Sequence, residues 1–263
     1  MKKIIFTALV VLITVCNTRT SLAWGNPGHT VIAYYAEQLL DEDVKKKCHH
    51  YLHSTLAFQA SWMDQYRSIE PFTECDKWHS TNIDANFKVV VGKPNTAAYQ
   101  IERIRKEMAN YKSMPDSLVR LNLRYLIHMI GDTHCPVHVR WSRKEHPEFH
   151  YSLLNKGKKY SYHGFWDSSL QRWRTKWTAE QYVDEIGFLS KGKAKKITKG
   201  TAYDWTQETA DVARTKCFPL IPAGTEVSTL PQDKRYKIHY IAEQQVQRAA
   251  YRLAAVLTEI FKE

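Results

Sequence analysis

Histidines and aspartates recur at spacings that a helix would turn to one face. His128 and Asp132 stand four apart, about one turn of helix, so they project side by side. Their segment is otherwise apolar (Leu121, Leu123, Leu126, Ile127, Ile130), which carries both groups toward the core. A buried carboxylate is costly unless it is paired or binds a metal. His138 follows just beyond Pro136, which ends or kinks the helix, and His163 and Asp167 repeat the four-residue interval in His-Gly-Phe-Trp-Asp. Neutral imidazole and carboxylate are ligands for zinc or manganese, and mixed nitrogen–oxygen sets suit hydrolytic rather than structural metal. A hydrogen-bonded His–Asp pair on a helix is the alternative for either pair alone.

The elements that must position these groups are mainly helical. Apolar periodicity predicts helices over 29–40, 54–67, 97–111, 117–134, 166–175, 179–189, 202–217 and 234–261, the last marked at its start by Pro231 and Asp233. The run 87–91 is the one short stretch that reads as strand, so an all-α single domain is expected. Residues 142–162, carrying Arg143, Lys144, Lys156, Lys158 and Lys159, and residues 191–199, with five lysines, read as basic loops. Either could meet phosphates, and each lysine alone reads equally as solvated surface.

The chain of 263 residues is long enough for a real core, and 43% hydrophobic content excludes a disordered chain. Residues 1–23 read as a secretory signal: Lys2 and Lys3, an apolar run from Ile4 to Val15, then Ser21-Leu22-Ala23 before a cut at Trp24. The mature chain would keep 35 basic against 27 acidic residues, a balance suited to a polyanionic partner. Cleavage would free an α-amino group with a pKa of about 8, which with the Trp24 carbonyl could chelate a metal near His29. Cys48, Cys75, Cys135 and Cys217 remain; four cysteines allow three pairings, and none shows Cys-x-x-Cys spacing.

In order along the chain, Trp24-Gly25-x-x-Gly28-His29, Ser61-Trp62-x-Asp64-x-x-Arg67, Trp78-His79, His128-x3-Asp132-x5-His138 and His163-x3-Asp167 resemble the motif set of the S1/P1 nuclease family. The resemblance covers most of the mature chain, 24–263. It implies the mainly helical phospholipase C/P1 nuclease fold with three zinc ions in a cleft. Asp64, His79, His128 and Asp132 would hold the first; His138, His163 and Asp167 a second, more exposed one. The Trp24 amino nitrogen and carbonyl, His29 and a bridging Asp132 would hold the third. The signal segment implies a secreted or periplasmic protein, no later run is long enough to span a membrane, and a monomer without membrane association is expected. By the resemblance, its activity would be hydrolysis of single-stranded DNA and RNA to 5′-phosphorylated products, with 3′-nucleotides as a further substrate class. Asp64 would orient the attacking water and Arg67 would offset charge on the phosphate. A Cys75–Cys217 bridge would fit the family's pattern, leaving Cys48 and Cys135 reduced.

Two positions depart from that pattern. Ser80 stands where fungal relatives carry an aromatic residue that holds a base, so the platform must come from elsewhere, with Tyr160, Tyr162 and Phe165 as candidates. Asn82 stands where an acidic residue is common. His49, His50 and His53 read as surface histidines and His134, six from His128, as a non-ligand. Of the unassigned His146, His150 and His239, His150 is expected at the cleft. A zinc-dependent phospholipase C shares the implied fold, but it carries Glu where Asp167 stands and its first His lies further from the N-terminal Trp. The remaining alternative is an exported zinc- or nucleic-acid-binding protein without turnover.

Overall fold

The computed structural model describes residues 24–262; the expected signal segment lies outside the described residues. The first helix, α1 (Gly25–Leu39), leads through a sharp break to α2 (Glu42–Leu52). Two short helices follow, α3 (Leu56–Gln59) and α4 (Trp62–Tyr66), then a 3-10 segment, Thr73–His79. Strand β1 (Thr81–Asn82) precedes α5 (Ala97–Met108) and α6 (Asp116–Asp132). β2 (Val139–Arg140) pairs in parallel with β1, and β3 (Ser152–Asn155) and β4 (Lys158–Ser161) form an antiparallel hairpin. The chain closes with α7 (Tyr162–Asp167), α8 (Ala179–Ile186), α9 (Lys191–Ile197), α10 (Ala202–Val212), α11 (Phe218–Leu220) and the 30-residue α12 (Gln232–Phe261).

The fold is mainly helical, as expected, and α12 is its axis. At 1.5 Å per residue it runs about 45 Å. It packs against α1 and α6 through buried Ala242, Val246, Ala249, Ala250 and Leu253. Small residues at that face let neighbouring helices approach closely. A second apolar cluster lies around Trp141, Leu153, Phe165, Trp166, Ile221 and Ile238.

Several expectations fail for local reasons. The helix expected over 54–67 is broken between α3 and α4, and the break leaves the Ala60 carbonyl to accept a hydrogen bond from His128 Nδ1 at 2.8 Å. Residues 87–91 form no ladder beyond an isolated bridge, Ile83 to Val89, because Phe87 takes a left-handed backbone at φ 63°. The lysine-rich 191–199 segment is largely helix α9, held to α12 where Arg252 Nε donates to the Ile197 carbonyl at 2.8 Å. The basic loop 142–162 contains the β3–β4 hairpin, α2 was not anticipated, and α7 starts at Tyr162, before the expected 166–175. The Cys75–Cys217 bridge is not formed: all four cysteines are buried and free, Cys75 in the main core and Cys217 in the second cluster. No helix among the described residues is long and apolar enough to cross a membrane.

Candidate metal centre

Helix α6 delivers the central pair. His128 and Asp132 are fully buried, with His128 Nε2 3.5 Å from Asp132 Oδ2. Because its Nδ1 is committed to Ala60, the His128 ring can offer only Nε2 inward; an outer hydrogen bond of this kind fixes ring orientation in metal sites. Asp64, in the first turn of α4, brings Oδ2 to 3.7 Å from His128 Nε2. His79, at the end of the 3-10 segment, places Nδ1 2.9 Å from Asp132 Oδ2 and 3.8 Å from Asp64 Oδ1.

The N-terminal motif closes the cluster from the other side. His29, on α1, stacks on His128 with ring centres 3.9 Å apart and sets Nε2 3.2 Å from Asp132 Oδ1. Two glycines allow this approach. A Cβ on Gly131 would fall 2.8 Å from His29 Nδ1, and one on Gly28 would fall 2.7 Å from Trp24 Cβ. Trp24 is wholly buried, and its indole Nε1 donates to the Gly131 carbonyl at 3.0 Å. Burial of so large a ring contributes on the order of 4–6 kcal/mol before entropy, which anchors Trp24 beside Gly131, one residue from Asp132.

A second, more open group adjoins the first. His138 follows α6, and its Nδ1 bonds the His79 carbonyl and lies 3.5 Å from Asp132 Oδ2. His163 and Asp167 sit on α7, whose N-terminus is capped by the Ser161 hydroxyl, with His163 Nε2 3.3 Å from Asp167 Oδ2. The His163 side chain is 40% exposed, whereas that of Asp132 is 0% exposed.

Electrostatics separate the members. Burial, reinforced by neighbouring His29, lowers His128 to about 3, and in half-exposed His163 partial desolvation and the neighbouring His138 lower the ring below its ordinary value. Burial alone would raise Asp132, but the facing His138 and His128 imidazoles hold its carboxyl well below the usual range. Burial likewise opposes charge on His138, yet Asp132 outweighs it and raises the ring to about 9.

The donor atoms fit a metal. Both ring nitrogens of His29, both Asp64 oxygens, His79 Nε2, Asp132 Oδ1 and His138 Nε2 are buried without a hydrogen-bond partner. His29 Nε2 and Asp132 Oδ1 approach each other, but without hydrogen-bond geometry. An orphaned buried polar atom costs about 1–3 kcal/mol, so several converging on one place fit cations rather than a self-contained network. Three groups have ligand atoms within 4.8 Å of one another: His29 with Asp64 and His128, His79 with His128 and Asp132, and Cys135 with His138 and Asp167. Imidazole and carboxylate suit zinc. Cys135 was not foreseen as part of this constellation; its position three residues before His138 was the available signal.

The centre forms part of the floor of a cleft of about 550 Å³. Arg67 lines it, with Nη1 3.8 Å from Asp64 Oδ1 and Nε 3.5 Å from Asp76. Arg140, Arg143 and Lys159 add further cations, and His150 lies at the cleft as expected. Of the proposed base platforms only Tyr162 reaches it. Phe165 is fully buried, and Tyr160 instead bonds the Gly164 carbonyl and Arg172. Ser80 lines the cleft, and the aromatic wall that sequence reasoning missed comprises Trp141, Phe149, Tyr151 and Phe218. Phe218 stacks on Phe149 at 4.3 Å and on Tyr162 at 4.8 Å. The other histidines are engaged elsewhere. His134 Nδ1 meets the Ile130 carbonyl and Nε2 meets Arg252, His49 pairs with Glu37, and His53 with Arg120. His50 is exposed. Buried His146 meets the Asp84 carbonyl, and His239 lies against Trp173.

These helices, this His/Asp cluster and the cleft above it agree with a family match over nearly all of the described chain. The S1/P1 Nuclease family profile matches residues 24–262, and the protein belongs to that family. Over 135 residues it is 26% identical to Nuclease S1 of Aspergillus oryzae (strain ATCC 42149 / RIB 40), a stretch covering 48% of this chain and 47% of that relative.

Proposed function

We propose that the protein is a secreted, zinc-dependent nuclease, released by cleavage before Trp24. It would hydrolyse single-stranded DNA and RNA to 5′-phosphorylated products, with 3′-nucleotides as a further substrate class. The observation that carries this reading is the buried convergence of orphaned His29, Asp64, His79, Asp132 and His138 atoms beneath a cleft lined by cations and aromatic rings.

In this reading three zinc ions are held as the family resemblance implies. Asp64, His79, His128 and Asp132 hold one; His138, His163 and Asp167 a second; Trp24, His29 and Asp132 the third. Bound zinc supplies Lewis acidity toward a water and a phosphoryl oxygen. The Asp64 carboxylate, neither of whose oxygens is hydrogen-bonded within the protein, orients the attacking water and accepts its hydrogen bond. Arg67, at the cleft beside Asp64, sets a fixed positive charge against the non-bridging phosphate oxygens. Arg140, Arg143 and Lys159 receive the backbone, while Phe149, Phe218 and Tyr162 supply ring faces. A splayed single strand presents both phosphates and unstacked bases, which favours it over duplex. The same cations fit a polymeric anion better than a zwitterionic lipid head, which weighs against a phospholipase C.

The test is hydrolysis of single-stranded DNA and RNA oligonucleotides by protein beginning at Trp24, with and without EDTA. EDTA-sensitive release of 5′-phosphorylated fragments is expected. Absence of cleavage by fully zinc-loaded protein would overturn the reading.

A further inference from the structure

Cys135 stands between the two halves of the centre. It is fully buried, and its Sγ lies 3.7 Å from Asp167 Oδ1. A nitrogen of His138, this sulfur and an Asp167 oxygen all lie within 4.8 Å of one another, the spacing of donors around one ion. The cysteine does not stand alone. His138 is only 5% exposed, its Nδ1 is taken by the His79 carbonyl, and its Nε2 is buried with no hydrogen-bond partner. His163 adjoins this group, with its ring 5.0 Å from that of His138 and Nε2 3.3 Å from Asp167 Oδ2. Two imidazoles, a carboxylate and a sulfur are four donors of the types zinc takes, and zinc can expand to a fifth ligand for substrate.

We propose that Cys135 is the fourth ligand of the outer metal, completing a His138–His163–Asp167–Cys135 site. This rests on the metal-centre reading above and adds a donor to it. As the sulfur–metal bond forms, the thiol proton passes to solvent and no electrons are exchanged. The sulfur takes a position that water would otherwise fill. It retains the outer ion more firmly than two imidazoles and a carboxylate alone, and it biases the site toward softer metals such as cadmium.

Cobalt(II) gives a readout independent of turnover. Metal-free protein beginning at Trp24, loaded with cobalt, should show a near-ultraviolet sulfur-to-cobalt charge-transfer band beside the visible bands of the His/Asp sites. Cys135→Ser and Cys135→Ala should each lose the ultraviolet band and keep visible ones. In the zinc-loaded protein, a colorimetric chelator should remove one zinc equivalent roughly tenfold faster from Cys135→Ser than from the unaltered protein. Cobalt bound without the charge-transfer band in the unaltered protein would overturn the sulfur ligand while leaving the nuclease reading intact. A band that survives both substitutions would overturn it too, since the sulfur would then belong to another cysteine. Failure to bind cobalt or zinc at all would overturn the metal-centre reading itself.

Discussion

The inner and outer halves of the centre use the same residue types under different physical regimes. Inside, His29, His128 and Asp132 are each essentially without solvent contact, and the pieces come from α1, α4, α6 and the 3-10 segment before β1. Outside, His163 is 40% exposed at the cleft and shares α7 with Asp167. A buried carboxylate among imidazoles has no water to fall back on; the Ala60 carbonyl fixes the His128 ring, and the absence of a Cβ at Gly131 leaves room for the His29 ring. The outer group has solvent on one side and tolerates looser support. In the proposed function this difference would give metal retention to the inner half and substrate access to the outer.

The sharpest way to break this contrast is to remove one carboxylate from each half. Asp132→Ala should abolish hydrolysis, a loss of at least roughly 10³-fold, the upper range for removing one strong electrostatic group. Asp167→Ala should cost less, about 10–100-fold, because the inner cluster stays assembled. Steady-state rates at saturating zinc compare the two, and equal losses would erase the distinction.

Packing offers a smaller lever. Gly131→Ala drives a methyl against the His29 ring, and overpacking of this kind costs about 1–3 kcal/mol. Activity should fall with stability, because the displaced ring is a proposed ligand. Gly192→Ala, where a Cβ would meet nothing within 4 Å, should leave the free energy of urea unfolding within about 0.5 kcal/mol of the unaltered protein.

The smallest effect concerns a buried imidazole outside the centre. Burial lowers His239 from 6.5 to about 4. Above pH 6.5 neither folded nor unfolded chain protonates there, so its contribution is fully present. As pH falls from 6.5 toward 4 the unfolded chain binds a proton that the native state refuses, and stability is lost. His239→Gln should therefore flatten the acid limb of a urea-unfolding series on metal-free protein. An unchanged limb would remove His239 from the account.

What was legible in the sequence was what one element fixes by itself. The four-residue interval of His128 and Asp132 survives folding because α6 is regular across it, and His163 with Asp167 likewise on α7. Contacts made by distant segments were not legible. Phe149 and Phe218 stack across some seventy positions of chain, and no periodicity marks either as a cleft wall. The break that frees the Ala60 carbonyl lay inside an apolar pattern that reads as one helix. Five lysines disguised α9, whose Ala194 and Ile197 pack against the core. The resemblance leaves Cys135 simply reduced, and nothing along the chain sets it beside Asp167, which arrives from another helix.

In the proposed ligand set Asp132 is shared by two ions of the inner half, and the outer ion is independent. Zinc per chain, measured by elemental analysis on folded protein beginning at Trp24, tests it most directly. About three equivalents are expected in the unaltered protein, about one in Asp132→Ala and about two in Asp167→Ala. Loss of a single equivalent from Asp132→Ala, or of none, would contradict it.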